Sequence, residues 1–218
     1  SSLKNNYTLM IISVTVFAYL LQYIVPGFSQ LLVLDPSISS VLYRPWSLFT
    51  VMILHGGLFH LFANMVTFYF FGTPVEKMVG KRELLKLYVG AGFIASLGFV
   101  GFRNLLYTIY GPEIAAKTLM GVQFGSMPTL GLAVGASGAV VAFVGAVAML
   151  YPEAEVLLYF IFPMKIKTAV YAFGGMEVIN IVAKLLGYHL PVIGGFASSA
   201  HLAGLIVGLW YGRKLRDK

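Results

Sequence analysis

Long runs of apolar residues alternate with short polar or glycine- and proline-rich segments along the whole chain. A helix needs about 20 mostly apolar residues to cross a lipid bilayer. The pattern therefore predicts six transmembrane helices, at about residues 7–25, 57–75, 84–102, 130–151, 168–186 and 196–215. The sequence has no internal repeat and no change of composition, so residues 1–218 are expected to form a single domain.

Two connecting segments are long. Residues 26–56 contain Pro26-Gly27, Asp35-Pro36 and Pro45, together with aromatic residues of the kind found at membrane interfaces. Residues 103–129 contain Gly111-Pro112 and Pro128, which predict a loop. The apolar run at residues 7–25 is as long as a membrane span and is followed by no cleavage site, so it is interpreted as the first helix and not as a signal peptide.

Composition agrees with a polytopic, all-α membrane protein. The chain is 59% hydrophobic and 11% charged, and its mean hydropathy is +0.86, whereas soluble domains are about 25% charged. It has no cysteine, which excludes disulfides, thiolate metal sites and a cysteine nucleophile. The net charge of +7 comes from short clusters beside the apolar runs, as expected for membrane flanks and not for a nucleic-acid surface.

The basic residues also predict an orientation. Eleven of the fifteen lysines and arginines flank one side of the predicted bundle, and the opposite side has Arg44, Arg103, Lys117 and Lys184. Basic flanks face the cytoplasm. We therefore expect a multi-pass protein of the cell membrane with both termini in the cytoplasm.

Three polar residues are predicted to lie at one depth. His60, Ser137 and His201 each come early in a span, and these three spans all run from the outside inward. At 1.5 Å per residue, the three side chains should lie a turn or two below the outer surface. Asn64 follows His60 by one turn and shares its helix face.

A serine and a histidine at the same depth suggest nucleophilic catalysis. Ser137 lies in the stretch Gly135-Ala136-Ser137-Gly138 and His201 in Ala200-His201-Leu202-Ala203-Gly204. A serine needs a general base within about 3 Å, usually a histidine. Small residues at a four-residue spacing in the last span would let the two helices pack closely. His60 and Asn64, with the Ser137 N–H, would supply the donors that an oxyanion requires.

Each of these features also has an ordinary structural interpretation. The small residues can serve plain helix packing, the serine can bond a backbone carbonyl, and the histidines and Asn64 can bridge helices. In the fifth span, Glu177, Asn180 and Lys184 share one face. These three residues predict one of two arrangements. One is a polar stripe that faces the substrate entry or a water path. The other, which is favoured, is an interhelical hydrogen-bonded cluster. His55 is assigned to support of the first loop and His189 to a solvated loop.

Taken together, these residues resemble a known family, the rhomboid intramembrane serine proteases. The resemblance covers nearly the whole chain and rests on five motifs in one order. They are His55-Gly56-Gly57-Leu58-Phe59-His60 with Asn64, Glu76-Lys77 followed by Gly80, Gly135-Ala136-Ser137-Gly138, Phe162-Pro163 with Lys165 and Lys167, and Ala200-His201 with Gly204.

The resemblance implies a six-helix bundle with a Ser137–His201 dyad and no third acid. The only aspartates, Asp35 and Asp217, lie outside the predicted spans. By resemblance, His60 and Asn64 join the Ser137 N–H in an oxyanion hole, and the fifth span with its following loop forms a substrate gate and cap. Many relatives have a tyrosine one turn after the serine, where this chain has Val141, so His201 must be oriented in another way.

The function expected is that of an intramembrane serine endopeptidase that cuts transmembrane protein substrates near the outer leaflet. Its partners would be those substrates and the lipid bilayer, with no nucleic acid, no cofactor and no metal. The sequence has no His-Glu-x-x-His motif and no aspartate in a span, which excludes metallo- and aspartyl intramembrane proteases. Activity should fall on acidification, because His201 must be neutral to accept a proton. The alternatives are a catalytically inactive rhomboid-like protein that binds membrane clients and a small transporter or channel.

Overall fold

The computed structural model describes residues 6–119, 123–124, 127–128, 132–158, 162–188 and 197–217, with backbone alone for 112–119, 123–124, 127–128 and 158. Within these residues the protein is mostly helical. The helices are α1 (Tyr7–Ile24), α2 (Phe28–Leu32), α3 (Ile38–Tyr43), α4 (Ser47–Thr50), α5 (Leu58–Val79), α6 (Lys81–Leu119), α7 (Ser137–Leu150), α8 (Ile166–Leu185) and α9 (Ser198–Arg216). Two antiparallel hairpins pair β1 (Gln123–Phe124) with β2 (Met127–Pro128) and β3 (Glu155–Leu158) with β4 (Phe162–Lys165).

The polytopic helical membrane fold is confirmed. Among the described residues, four helical segments are long and apolar enough to cross a membrane, namely α1, α5, α8 and the Lys81–Gly111 part of α6. Helices α7 and α9 lie at the two other predicted spans. Helix α7 is apolar but has only 14 residues, and α9 has three basic residues in its last turn.

The boundaries of the third and fourth spans were predicted wrongly. Helix α6 continues past residue 102 to Gly111, where a φ of 75° interrupts it. Arg103 is buried in this extension and lies 4.0 Å from the ring centroid of Tyr107. Helix α7 begins at Ser137 and not near residue 130, because Ala133 pairs as a β-bridge with Leu34 and Gly135 has a φ of 124°. Residue Phe196, the expected start of the sixth span, and His189 lie outside the described residues.

The segment between α1 and α5 is folded, although its sequence predicts mostly turns. It contains α2, α3, α4 and a 3₁₀ turn at Val51–Ile53. The Trp46 Nε1–H donates to the Leu31 carbonyl at 3.0 Å, and the Thr50 hydroxyl donates to the Leu32 carbonyl at 2.8 Å. These side-chain bonds hold the segment together against the bundle.

Helices α7 and α9 approach each other backbone to backbone. A Cβ on Gly204 would lie 2.0 Å from the Gly138 carbonyl oxygen, and a Cβ on Gly208 would lie 2.0 Å from that of Ala142. Only glycine lets the two backbones approach this closely. We call this contact, formed by Gly204, Gly208 and Gly212 of α9 against α7, the glycine seam. It brings the first turns of α7 and α9 to the same end of the bundle.

Candidate active site

Ser137 and His201 meet at the end of the glycine seam where α7 and α9 begin. Ser137 is the first residue of α7, and His201 lies in the first turn of α9. The Ser137 hydroxyl Oγ and the His201 Nε2 are 2.8 Å apart, and the His201 side chain is 13% exposed. This is the hydrogen-bond distance that a serine nucleophile and its base require.

The start of α7 adds electrostatic polarity to this pair. The first N–H groups of an α-helix have no partner within the helix, and the helix dipole places partial positive charge there. The first helical bond of α7 runs from the Val140 N–H to the Ala136 carbonyl, which leaves the N–H groups of the preceding turn directed outward. Such donors are suited to a negative charge that develops beside Ser137.

His60 approaches the same point from α5. A Cβ on Gly135 would lie 2.8 Å from His60 Cε1 and 3.0 Å from His60 Nε2. Glycine is therefore required at position 135 by this contact as well as by its positive φ. The Gly56 N–H donates to His60 Nδ1 at 3.4 Å, so the proton of the neutral ring is on Nε2, the nitrogen that faces the Ser137 loop.

Asn64 contacts its own helix. It is 6% exposed, and its Nδ2 donates to the His60 carbonyl at 2.9 Å. The described hydrogen bond therefore joins Asn64 to the backbone of His60, one turn earlier on α5, and not to Ser137.

His55 and Gln22 support the His60 side of the site. The His55 ring is 1% exposed and meets the His60 ring edge to face, with centroids 5.1 Å apart. The Gln22 side chain bonds both backbone groups of His55, at 2.9 Å and 3.0 Å. The sequence assigned His55 to the first loop and did not indicate its ring contact with His60. It did not indicate Gln22, whose only signal is an amide inside the first apolar span.

The expectation that no third acid is present is wrong for the geometry of this site. Glu177 of α8 is fully buried, and its Oε1 lies 2.7 Å from His201 Nδ1, the ring nitrogen opposite Ser137. The Phe173 ring, also from α8, lies beside the imidazole with centroids 5.9 Å apart at 42°. Two side chains of α8 thus contact His201, whereas the position of the tyrosine that many relatives have is Val141 here.

Polar residues of α8 and α9 lie around the Glu177 carboxylate. Asn180 and Ser198 flank it, and Lys184 interacts with it electrostatically. Glu177 Oε2 and Asn180 Nδ2 are buried without a hydrogen-bond partner among the described residues. The polar face of the fifth span is therefore turned into the bundle, as the favoured interpretation of the sequence required, but it includes a direct contact with the candidate base.

A small cavity of about 30 Å³ adjoins Ser137 on the side of α6. Its lining includes Gly92, Ala95, Gly138 and Ala200. A space of this size accommodates about one water molecule or a methyl group. In the described part of the chain, the candidate site included, no three histidine, aspartate or glutamate side chains are close enough together to hold a metal ion.

Comparison with known proteins identifies the family of this chain. The family model described as "Rhomboid domain" matches residues 43–218. The human "Presenilin-associated rhomboid-like protein, mitochondrial" is 29% identical over 174 residues, which cover 79% of this chain and 38% of that protein. The yeast (Saccharomyces cerevisiae) "Rhomboid protein 1, mitochondrial" is 30% identical over 158 residues, 72% of this chain and 38% of that protein.

A zebrafish (Danio rerio) relative, "Presenilin-associated rhomboid-like protein A, mitochondrial", is 26% identical over 157 residues, 72% of this chain and 34% of that protein. The chain therefore spans little more than a third of the length of these relatives. The family match nevertheless includes every residue of the candidate site from His55 to His201. This chain belongs to the rhomboid family.

Proposed function

We propose that this protein is an intramembrane serine endopeptidase. The observation that carries the proposal is the 2.8 Å contact between Ser137 Oγ and His201 Nε2 inside a bundle of apolar helices. A polar pair of this kind is costly in a membrane and is functional by default. An inactive client-binding relative would have no use for a serine held this close to a base.

The proposed reaction begins with attack of Ser137 Oγ on a substrate peptide carbonyl. His201 Nε2 accepts the hydroxyl proton, and the new C–O bond gives a tetrahedral oxyanion. Collapse breaks the peptide C–N bond, His201 returns the proton to the leaving amine, and water later hydrolyses the acyl-enzyme. The His60 Nε2–H and the N–H groups that begin α7 are assigned to the oxyanion, and Asn64 is assigned with them.

The site also favours substrates of one kind, namely transmembrane segments whose helix is weak near the cut. A transmembrane helix hides its carbonyls in hydrogen bonds, so a substrate should contain helix-weakening residues near its cut site. The cavity of about 30 Å³ beside Ser137 is suited to a small side chain. We therefore propose transmembrane segments with a small residue at the cleaved bond.

The proposed orientation has both termini on the basic side of the membrane and the active site toward the opposite leaflet. The sequence led us to expect a cell membrane. The named relatives are mitochondrial proteins, so we restrict the proposal to a multi-pass location in a membrane.

The test is cleavage of a transmembrane substrate by the purified protein in detergent. Wild type should cut, and Ser137→Ala and His201→Ala should each lower the rate by at least about 10³-fold. Ser13→Ala, which changes an exposed serine of α1, should cut as wild type does. Equal cleavage by all four proteins would contradict the proposal.

A fluorophosphonate probe removes the dependence on substrate choice. Only a serine activated by a base should react with it, so wild type should be labelled at Ser137 and His201→Ala should not. A folded wild type that neither cuts nor reacts would identify an inactive rhomboid-like protein.

A further inference from the structure

The Glu177 carboxylate lies where no acid was expected. It is fully buried in the bundle, and its Oε1 is 2.7 Å from His201 Nδ1, while the other ring nitrogen, Nε2, is 2.8 Å from Ser137 Oγ. The three side chains thus form one continuous line across α8, α9 and α7. Burial of a carboxylate is expensive unless its interactions compensate, and its second oxygen has no hydrogen-bond partner among the described residues.

The contact with Glu177 determines which nitrogen of His201 is protonated. An ionised carboxylate can only accept hydrogen bonds, so Nδ1 must donate to Glu177. The neutral ring then has its lone pair on Nε2, which is the nitrogen that faces the serine hydroxyl. A histidine without such a partner is free to adopt the other tautomer, in which Nε2 bears the proton and cannot act as the base.

We propose that Glu177 is a positioning residue that fixes the tautomer and orientation of His201, so that the protein works through a Ser137–His201–Glu177 relay and not a dyad. This inference rests on the proposed function. Glu177 does not itself take a proton in the cycle: the proton moves from Ser137 Oγ to His201 Nε2 and then to the leaving amine.

The charge balance of the site agrees with this role. When His201 accepts the proton it becomes an imidazolium inside an apolar bundle, and the adjacent carboxylate offsets that charge. Two other ionisable groups of the described residues influence the pair: His60 from α5 faces His201, and Lys184 from α8 faces Glu177. Neither is negative, so Glu177 is the group that can compensate the imidazolium.

The experiment compares Glu177→Gln, Glu177→Asp and Glu76→Gln. Glu76 also accepts several hydrogen bonds, from the Tyr7 N–H and from Thr8, but it lies 16 residues after His60 on α5, about 24 Å along the helix. It is therefore a matched control for loss of a bonded carboxylate at the opposite end of the bundle.

We expect Glu177→Gln to lower kcat by about 10²- to 10⁴-fold with KM within about twofold, as loss of the orienting acid does in soluble triads. Glu177→Asp, which keeps a carboxylate, should recover part of kcat. Glu76→Gln should change neither kcat nor KM. If Glu177→Gln keeps kcat within threefold, the inference is wrong.

A second measurement does not depend on activity or on the stability of a variant. The chain has four histidines, so ¹⁵N spectra of the labelled wild type can be assigned by single substitutions. We expect neutral His201 to be protonated at Nδ1, and protonation at Nε2 would overturn the inference. Failure of wild type to cut or to react with the fluorophosphonate would count against the proposed function alone, since the tautomer is still measured.

Discussion

Helices α9 and α8 both contact the candidate catalytic residues, but they are held in different ways. Helix α9 packs on α7 through the glycine seam, where backbone meets backbone. Helix α8 meets its neighbours through side chains and exposes large apolar residues, among them Tyr171 at 74% and Ile179 at 60%. The distance between Ser137 and His201 is thus set by backbone packing, whereas the position of Glu177 depends on the side-chain packing of α8.

The largest effect is expected when one methyl group is added at the contact of α7 with α9. Gly204→Ala would place a Cβ 2.0 Å from the Gly138 carbonyl oxygen, so α7 and α9 must separate. Overpacking of this kind costs about 1–3 kcal/mol or more, and we expect a Tm lower by several degrees and loss of most cleavage activity. Thermal unfolding and cleavage in detergent measure both.

The matched control is Gly175→Ala in α8, where the added Cβ meets nothing within 4 Å. Alanine is favoured over glycine inside a helix by up to about 1 kcal/mol, so this variant should be as stable as wild type or more so. Equal tolerance of both substitutions would show that the seam does not hold the dyad.

A smaller effect on kcat is expected from a substitution within α8 itself. Phe173→Ala removes the ring beside His201 but keeps Glu177. Aromatic pairs contribute about 0.5–1.5 kcal/mol, which corresponds to a loss of about 2- to 10-fold in kcat. Ile179→Ala, on the exposed face of the same helix, should leave kcat unchanged. If the two variants behave alike, the contact of Phe173 with His201 has no catalytic value.

The smallest effect is expected outside both regions, at Asp35 in the segment before α3. Burial acts to raise the pKa of Asp35, but hydrogen bonds from the Ser37 N–H and the Ser40 hydroxyl, with the charge of Arg103, lower it below its ordinary value of 3.8. The folded state therefore binds the proton less well than the unfolded chain. Its contribution to stability is complete above the ordinary value and is lost as the pH falls through the lowered pKa.

Asp35→Asn should consequently lower Tm slightly at pH 7, by less than the equivalent of about 1 kcal/mol, since the group is partly exposed. The difference from wild type should shrink as the pH is lowered from 5 toward 3, and cleavage at pH 7 should not change. A Tm difference that grows on acidification would contradict the assigned hydrogen bonds.

The sequence predicted the helices well because span length is imposed by the bilayer. It placed α1 and α8 within two residues of their ends. It also named Ser137 and His201 as candidates from motif and depth, and these two side chains lie 2.8 Å apart. It missed the extension of α6 through Arg103, because a charged residue in a span reads as a boundary. It also began α7 too early, because the extended residues before Gly135 are as apolar as the helix.

Sequence patterns could not predict the contact of Glu177 with His201, for a different reason. Its spacing from Asn180 and Lys184 shows that they share a face, but not which neighbour that face meets. The answer depends on how α8 is rotated against α9, which is decided by packing over the whole bundle. The hairpin of β3 and β4 was missed because strands of four residues beside a proline, such as Phe162–Lys165, have no distinctive period.

The order of the site residues along the chain has a consequence for biosynthesis. The proposed base follows the proposed nucleophile by 64 residues and lies in the last described helix. A ribosome adds about 5–20 residues per second, so a nascent chain contains Ser137 for roughly 3–13 seconds before His201 is made. Under the proposed mechanism, the serine has no base during that interval, and the growing chain should not yet cut the other polypeptides that are entering the same membrane.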